Sequence, residues 1–281
     1  MNEAANPNGK FADVPVRVRS WVYIILVLAI AFVPARTSVL FVCWLTFQGM
    51  CEFVRMFVPK FRMALLFALV VGLVELGLLY YCSYAAYLSW ASLLCVGIGL
   101  FFLLGQKTGI KATIGLFFGA GACLLAFSQL SFIRAVGLDH NDLLGLKLVA
   151  YIIVLTELND VFQYLMGKFF GKRKIVPHIS PNKTVAGCVG GIALTIILSN
   201  ILGYLLLPFG NFAIFSVLGL IFGFLGFCGD VLFSYLKRKT GVKDTGTLIP
   251  GHGGLLDRID SLLFNAPVFY GLICLIGIMK L

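Results

Sequence analysis

The chain has 281 residues, 60% of them hydrophobic and only 12% charged, with a mean hydropathy of +1.00. A soluble globular domain runs nearer half apolar and about a quarter charged, so the composition excludes a soluble enzyme and points to a polytopic membrane protein. The net charge of +10 is informative mainly through where it sits, and no nucleic-acid partner is expected from it.

Residues 1–20 are polar, rich in Asn, Gly and Pro, and read as a loose N-terminal tail. The apolar run that follows, Trp21–Pro34, lacks a clear small-residue cleavage site, so a removable signal peptide is not expected. Uncharged stretches near 20 residues then recur to the end of the chain, each long enough to cross a bilayer as a helix. The expected spans are nine, at about 20–34, 38–55, 63–81, 85–105, 112–131, 144–166, 187–207, 212–236 and 261–279. The break between the third and fourth, near Cys82–Tyr84, is the least marked in the sequence. With alternate connections assigned to opposite faces, 18 Lys and Arg fall on one side and only Arg36, Arg134, Lys147 and Lys280 on the other. The positive-inside rule then places the N-terminus and the charged loops in the cytoplasm and the C-terminus across the membrane. The predicted fold class is an all-α, polytopic helical bundle.

Residues 21–135 form an N-terminal scaffold of about five spans. Its polar exceptions are Glu52, Arg55 and Glu75. Glu52 and Arg55 are three apart, the spacing of a local ion pair on one helix face, whereas Glu75 sits in the middle of VVGLVELGLL with no local partner. The eight cysteines are scattered, with no C-x-x-C pair, and read as small packing residues rather than a metal or redox framework.

Residues 144–281 are different, because they hold every long polar motif, in the loops 167–186 and 237–260. The eighth span, FGFLGFCGDVLFSYLKR, carries Asp230 deep in an apolar helix. Small residues at 226, 228 and 229 allow another helix to approach closely. Ser234 and Lys237 follow Asp230 at helical spacing, so the three share a stripe. An isolated buried carboxylate would take up a proton; a second acidic cluster nearby favours a metal ligand. That cluster is Asp257 and Asp260 in LLDRIDSLLF, expected on one face of the first turn of the ninth helix, where helix-dipole pairing is the ordinary role. Two carboxylates together suit a hard cation that also binds phosphate oxygens.

The loop PGHGG supplies His252, Gly253 and Gly254, and glycine backbone can approach a phosphate closely. The second polar island is ELNDVFQYLMGKFFGKRKIVPHISPNKTVAGCVGG. It contains Asp160, the basic run Lys172, Arg173 and Lys174, and a Ser180-Pro181-Asn182-Lys183-Thr184 turn that should start the next helix. The basic run suits a polyanion or, more simply, anionic headgroups at the membrane face. Its Gly and Lys spacing is not that of a P-loop.

The stretch from Ser234 to Asp260, S-x-x-K-R-x4-K-D-x-G-x2-I-P-x-H-G-G-x2-D-R-x-D, closely resembles the signature of the CDP-diacylglycerol synthases, or phosphatidate cytidylyltransferases. The resemblance implies transfer of a cytidylyl group from CTP to phosphatidate, giving CDP-diacylglycerol and pyrophosphate. It places Mg2+ on Asp230 and Asp257, with or without a second, monovalent cation, and Asp260 in support. Lys237 would act at the reacting phosphates. Ser234, Arg238, Lys243, Asp244, His252, Gly253, Gly254 and Arg258 would bind substrate, and Asp160, Lys172, Ser180, Lys183 and Thr184 would complete the nucleotide side. A homodimer in the bacterial cytoplasmic membrane is also implied. The chain departs from the family pattern where Glu-Gly usually follows the S-P-x-K-T turn and here stands Ala186-Gly187. It departs again after Asp160, where Val-Phe-Gln-Tyr replaces a segment ending in Ala-Tyr. The competing readings are transfer to another lipid phosphate or polyprenol, and a non-catalytic paralogue that binds anionic lipid.

Overall fold

The computed structural model describes residues 30–60, 62–105, 109–137, 143–246, 248 and 253–276, together with positions 22, 26 and 27. Eight long helices fall in these residues. They are α1 (Ala35–Phe57), α2 (Ala64–Tyr81), α3 (Tyr84–Gly105), α4 (Ile110–Ala135), α5 (Leu144–Phe170), α6 (Val185–Leu206), α7 (Phe212–Thr240) and α8 (Leu256–Leu275). The first expected span, 20–34, lies partly outside the described residues. All but α5 are long and apolar enough to cross a membrane. The 27 residues of α5 reach about 40 Å, but Glu157, Asn159, Asp160 and Gln163 interrupt its apolar surface. The protein is therefore a polytopic helical membrane protein. The weakly marked break is real, since Cys82 and Ser83 leave the helical conformation between α2 and α3.

α3 ends in a π-turn at Phe101–Gly105, and α4 carries one within its length at Ala122–Ala126. A π-turn perturbs the regular carbonyl ladder, and the bundle supplies side-chain donors there. The Tyr87 hydroxyl donates to the Leu124 carbonyl at 2.6 Å, and the Thr46 hydroxyl lies 3.3 Å from that of Cys123. Glu75, fully buried, lies 3.2 Å from the same Tyr87 hydroxyl. Its partner is thus on a neighbouring helix.

The sequence of packed neighbours runs α5 on α6, α6 on α7 and α7 on α8, and α8 returns to α5. Small residues set how closely they meet. A Cβ at Gly226 of α7 would lie 2.8 Å from Asn159 Nδ2 of α5, and one at Gly229 would lie 2.8 Å from Phe264 of α8. Buried amides and hydroxyls then bind the helices laterally. Thr195 donates to Asn159 at 3.0 Å, and Asn265 donates to Thr156 at 2.9 Å. α1 packs against α2 and α4, and the π-turn of α4 packs against α8.

Candidate active site

The ends of four helices meet around one polar cavity of roughly 220 Å3. α5 and α7 bring their C-terminal halves, while α6 and α8 bring their N-terminal turns. The cavity is lined by four carboxylates, Asp160, Asp230, Asp257 and Asp260, and by three cations, Lys183, Lys237 and Arg258. Ser180, Asn182 and Thr184 add hydroxyl and amide groups.

The Ser180–Thr184 turn starts α6 as its residue types predict. Thr184 is the N-cap, and its hydroxyl accepts the Gly187 N–H at 3.1 Å. Antiparallel backbone bonds, Ile175 N–H to Lys183 O at 3.0 Å and Val185 N–H to Arg173 O at 2.9 Å, close the connection into a tight loop. This geometry turns Lys183 inward, where its ammonium pairs with Asp230 Oδ2 and lies 3.5 Å from Gln163 Oε1. Burial works against the Lys183 charge, but Asp230, Asp160 and Asp260 outweigh it and hold the ammonium above the usual lysine pKa. Asp160 accepts from the Ser261 hydroxyl at 3.0 Å, and Ser234 lies 3.4 Å from Asp230. Of the Asp230, Ser234 and Lys237 stripe on α7, Asp230 and Lys237 line the cavity, while the buried Ser234 lies behind them against Asp230.

Asp257 is the most fully engaged of the four carboxylates lining the cavity. Its Oδ1 accepts from Lys237 at 2.7 Å; its Oδ2 accepts the N–H groups of Thr245 and Gly254, each at 2.8 Å. The N–H of Gly254 is therefore committed to Asp257. Gly253 has φ +85°, and a Cβ there would lie 2.6 Å from Asp257 Oδ2, so only glycine suits the position. The expected sharing of one regular helical face by Asp257 and Asp260 is not found. Ile259 leaves helical geometry (φ −123°, ψ 17°); this kink lets Asp257 turn to the loop while Asp260 accepts the Ser261 N–H at 2.8 Å. Both still reach the cavity.

Other predicted residues lie outside its lining. Lys172, Lys243 and Asp244 are exposed, and Arg238, also exposed, lies 3.4 Å from the Ile179 carbonyl. His252 lies outside the described residues. Ala186, where a glutamate was expected, occupies the first turn of α6 beside the cavity-lining Gly187.

Glu52 requires a correction. It does not pair with Arg55, which is exposed. Glu52 is buried and receives four donors: Gln48 Nε2 at 3.0 Å, Leu255 N–H at 2.8 Å, Leu256 N–H at 2.9 Å and the Thr245 hydroxyl at 2.7 Å. The physical reason is that the N-terminus of α8 presents unpaired N–H groups, which a buried carboxylate satisfies better than an exposed guanidinium satisfies the carboxylate. Thr245, at a variable place in the signature, and the buried Glu157, one turn before Asp160, were also missed. A carboxylate inside an apolar span was the only available signal for Glu52.

A model of the cytidylyltransferase family matches residues 15–276. This chain belongs to the cytidylyltransferase family. Among relatives of this cytidylyltransferase-family protein, it is 36% identical over 266 residues to the uncharacterized protein YnbB of Escherichia coli (strain K12), covering 94% of this chain and 88% of that one. It is 41% identical over 143 residues to the phosphatidate cytidylyltransferase of Bacillus subtilis (strain 168), covering 50% and 52%. It is 43% identical over 117 residues to that of Aquifex aeolicus (strain VF5), covering 42% and 43%. The match thus spans about half the length, or less, of the relatives named for an activity.

Proposed function

We propose that this protein transfers the cytidylyl group of CTP to phosphatidate, forming CDP-diacylglycerol and releasing pyrophosphate. The observation that carries the reading is the cavity itself, where acids and bases from both signature stretches converge at one end of an apolar bundle. A phosphate monoester has a second pKa near 6, so the lipid arrives mostly as a dianion and is already a nucleophile. One of its oxygens attacks the α-phosphorus of CTP; the new P–O bond forms as the bond to the bridging β-phosphate oxygen breaks, and pyrophosphate leaves with that electron pair. No Ser–His pair is needed. The demand is to hold two polyanions together and neutralise charge on the leaving group. Lys183, Lys237 and Arg258 are placed for this, with Ser180, Asn182 and Thr184 as neutral donors.

The carboxylates also fit Mg2+. Asp230 and Asp257 line the same cavity, and a hard cation takes one or two carboxylates plus substrate phosphate oxygens. Asp230 and Asp257 would hold it, and when bound it would offset phosphate charge. The two lysines that now neutralise these carboxylates would then be released toward phosphate.

The lipid chains have a route of their own. An apolar cavity of roughly 1450 Å3 lies between α4 and α7, floored by α1 and α8, with Lys111 and Lys239 at the end shared by the start of α4 and the close of α7. That shape, apolar within and basic at its rim, suits a diacyl phosphate entering from the bilayer. The site end would face the cytoplasm, in keeping with the basic residues of both loops.

Purified protein in phosphatidate–detergent micelles should incorporate labelled CTP into lipid only with Mg2+, and Asp257→Ala should abolish it. Folded protein that leaves phosphatidate untouched but labels another lipid phosphate would move the substrate assignment. Absence of any labelled lipid would leave anionic-lipid binding as the function.

A further inference from the structure

Asp257 is held by the loop between α7 and α8, and that loop is held by a side chain from the other half of the chain. The Thr245 N–H donates to Asp257 Oδ2 at 2.8 Å, and the Thr245 hydroxyl lies 2.7 Å from Glu52 Oε2 and 3.1 Å from Asp257 Oδ2. One hydroxyl thus stands between two carboxylates. Glu52 also takes the N–H groups of Leu255 and Leu256, the two residues that immediately precede Asp257. A Cβ at Gly246 would come within 3.1 Å of Glu52 Oε1, so the loop backbone closes directly over this carboxylate. On the far side of Asp257, Lys237 completes the set at 2.7 Å. Among the described residues, every donor to Glu52 other than Gln48 comes from the signature loop or the start of α8.

We propose that Glu52 is a positioning residue: from α1, through Thr245 and the start of α8, it sets the direction of Asp257 toward Lys237 and the cavity. None of its hydrogen-bond partners among the described residues lines the cavity. The role rests on the cytidylyl-transfer reading for its effect on rate, but not for its effect on loop geometry.

Residues that orient a ligand-bearing group typically change activity by about 10- to 100-fold when replaced. Thr245 gives the mildest test. Thr245→Val keeps the shape and removes the hydroxyl, so kcat should fall by about tenfold or more, while Thr245→Ser should restore it. Glu52→Gln replaces one acceptor oxygen with an NH2 that faces N–H and O–H donors, and should lower kcat at least as far. Since both act on one geometry, Glu52→Gln combined with Thr245→Val should be far less damaging than the product of the single effects. Hydrogen exchange provides a readout that needs no turnover. In Glu52→Gln, amides of 245–257 should exchange faster while those of α2 and α6 stay protected.

Additive losses, no rescue by serine, or faster exchange spread through the bundle would overturn the proposal and leave Glu52 as a general packing residue. Should the wild type transfer no cytidylyl group, the reaction reading falls and exchange alone decides: acceleration confined to 245–257 supports the positioning of Asp257, and uniform acceleration rejects it.

Discussion

Lys183 shows how one side chain joins the two polar islands of the sequence. It leaves a loop between α5 and α6, yet its charge is balanced by Asp230 on α7, with Asp160 and Asp260 beyond. Its pKa in the folded protein is raised, so this pairing stabilises the fold fully below the ordinary lysine value and is lost only as pH rises through the higher folded value. Working pH near neutrality therefore leaves it charged. Lys183→Ala should strip a preorganised cation from the phosphates and lower kcat by about 10²- to 10³-fold, measured as CDP-diacylglycerol formation on folded protein. The sequence placed Lys183 among the phosphate-binding candidates from its turn and basic neighbours. It could not show that the partner is Asp230, because the two are 47 residues apart and meet only when α6 and α7 have both returned to α5.

At the scale of elements, the site depends on helices that approach without intervening side chains. Gly226 sits against Asn159, whose amide also receives Thr195, so α5, α6 and α7 share one close contact. Gly226→Leu should force α7 away and destabilise the protein by about 1–3 kcal/mol, seen as a lower melting temperature in detergent. The small residues of the eighth span were legible as a close-approach surface, and so was the turn that begins α6. The kink at Ile259 was not. It follows from the demand of the loop on Asp257, and no Pro or Gly in LLDRID marks it.

The whole molecule arranges two environments around the end of α7. Asp230 and Lys237 face the polar cavity, while Phe233, Leu236 and Lys239 face the apolar gap toward α4. Filling that gap tests whether it receives lipid. Ala112→Trp should raise the KM for phosphatidate several-fold and leave that for CTP unchanged, in steady-state assays with each substrate varied. The proposed orientation rests separately on charge. In a cysteine-free background, Lys174→Cys and Pro208→Cys should react with an impermeant thiol reagent from opposite faces, with Lys174→Cys protected in intact cells until the membrane is opened. Lys174→Cys labelled from outside with Pro208→Cys protected would reverse the cytoplasmic assignment.

Hydropathy and charge by themselves determined that this is a helical membrane protein, where its helices break and which stretches carry the polar chemistry, because burial in lipid forces every backbone group into helices and leaves few places for charge. The spacing of the signature further brought Lys237, Asp257, Arg258 and Asp260 together as candidates, and helical spacing along the eighth span joined Asp230 to Lys237. What only the tertiary structure decided is who holds whom. Glu52 meets Thr245 across 193 residues of chain, and the local rule of helical spacing gave it Arg55 instead. A spacing rule sees one helix face, whereas a buried carboxylate is satisfied by whichever unpaired donors the packed bundle brings to it, here the first N–H groups of α8.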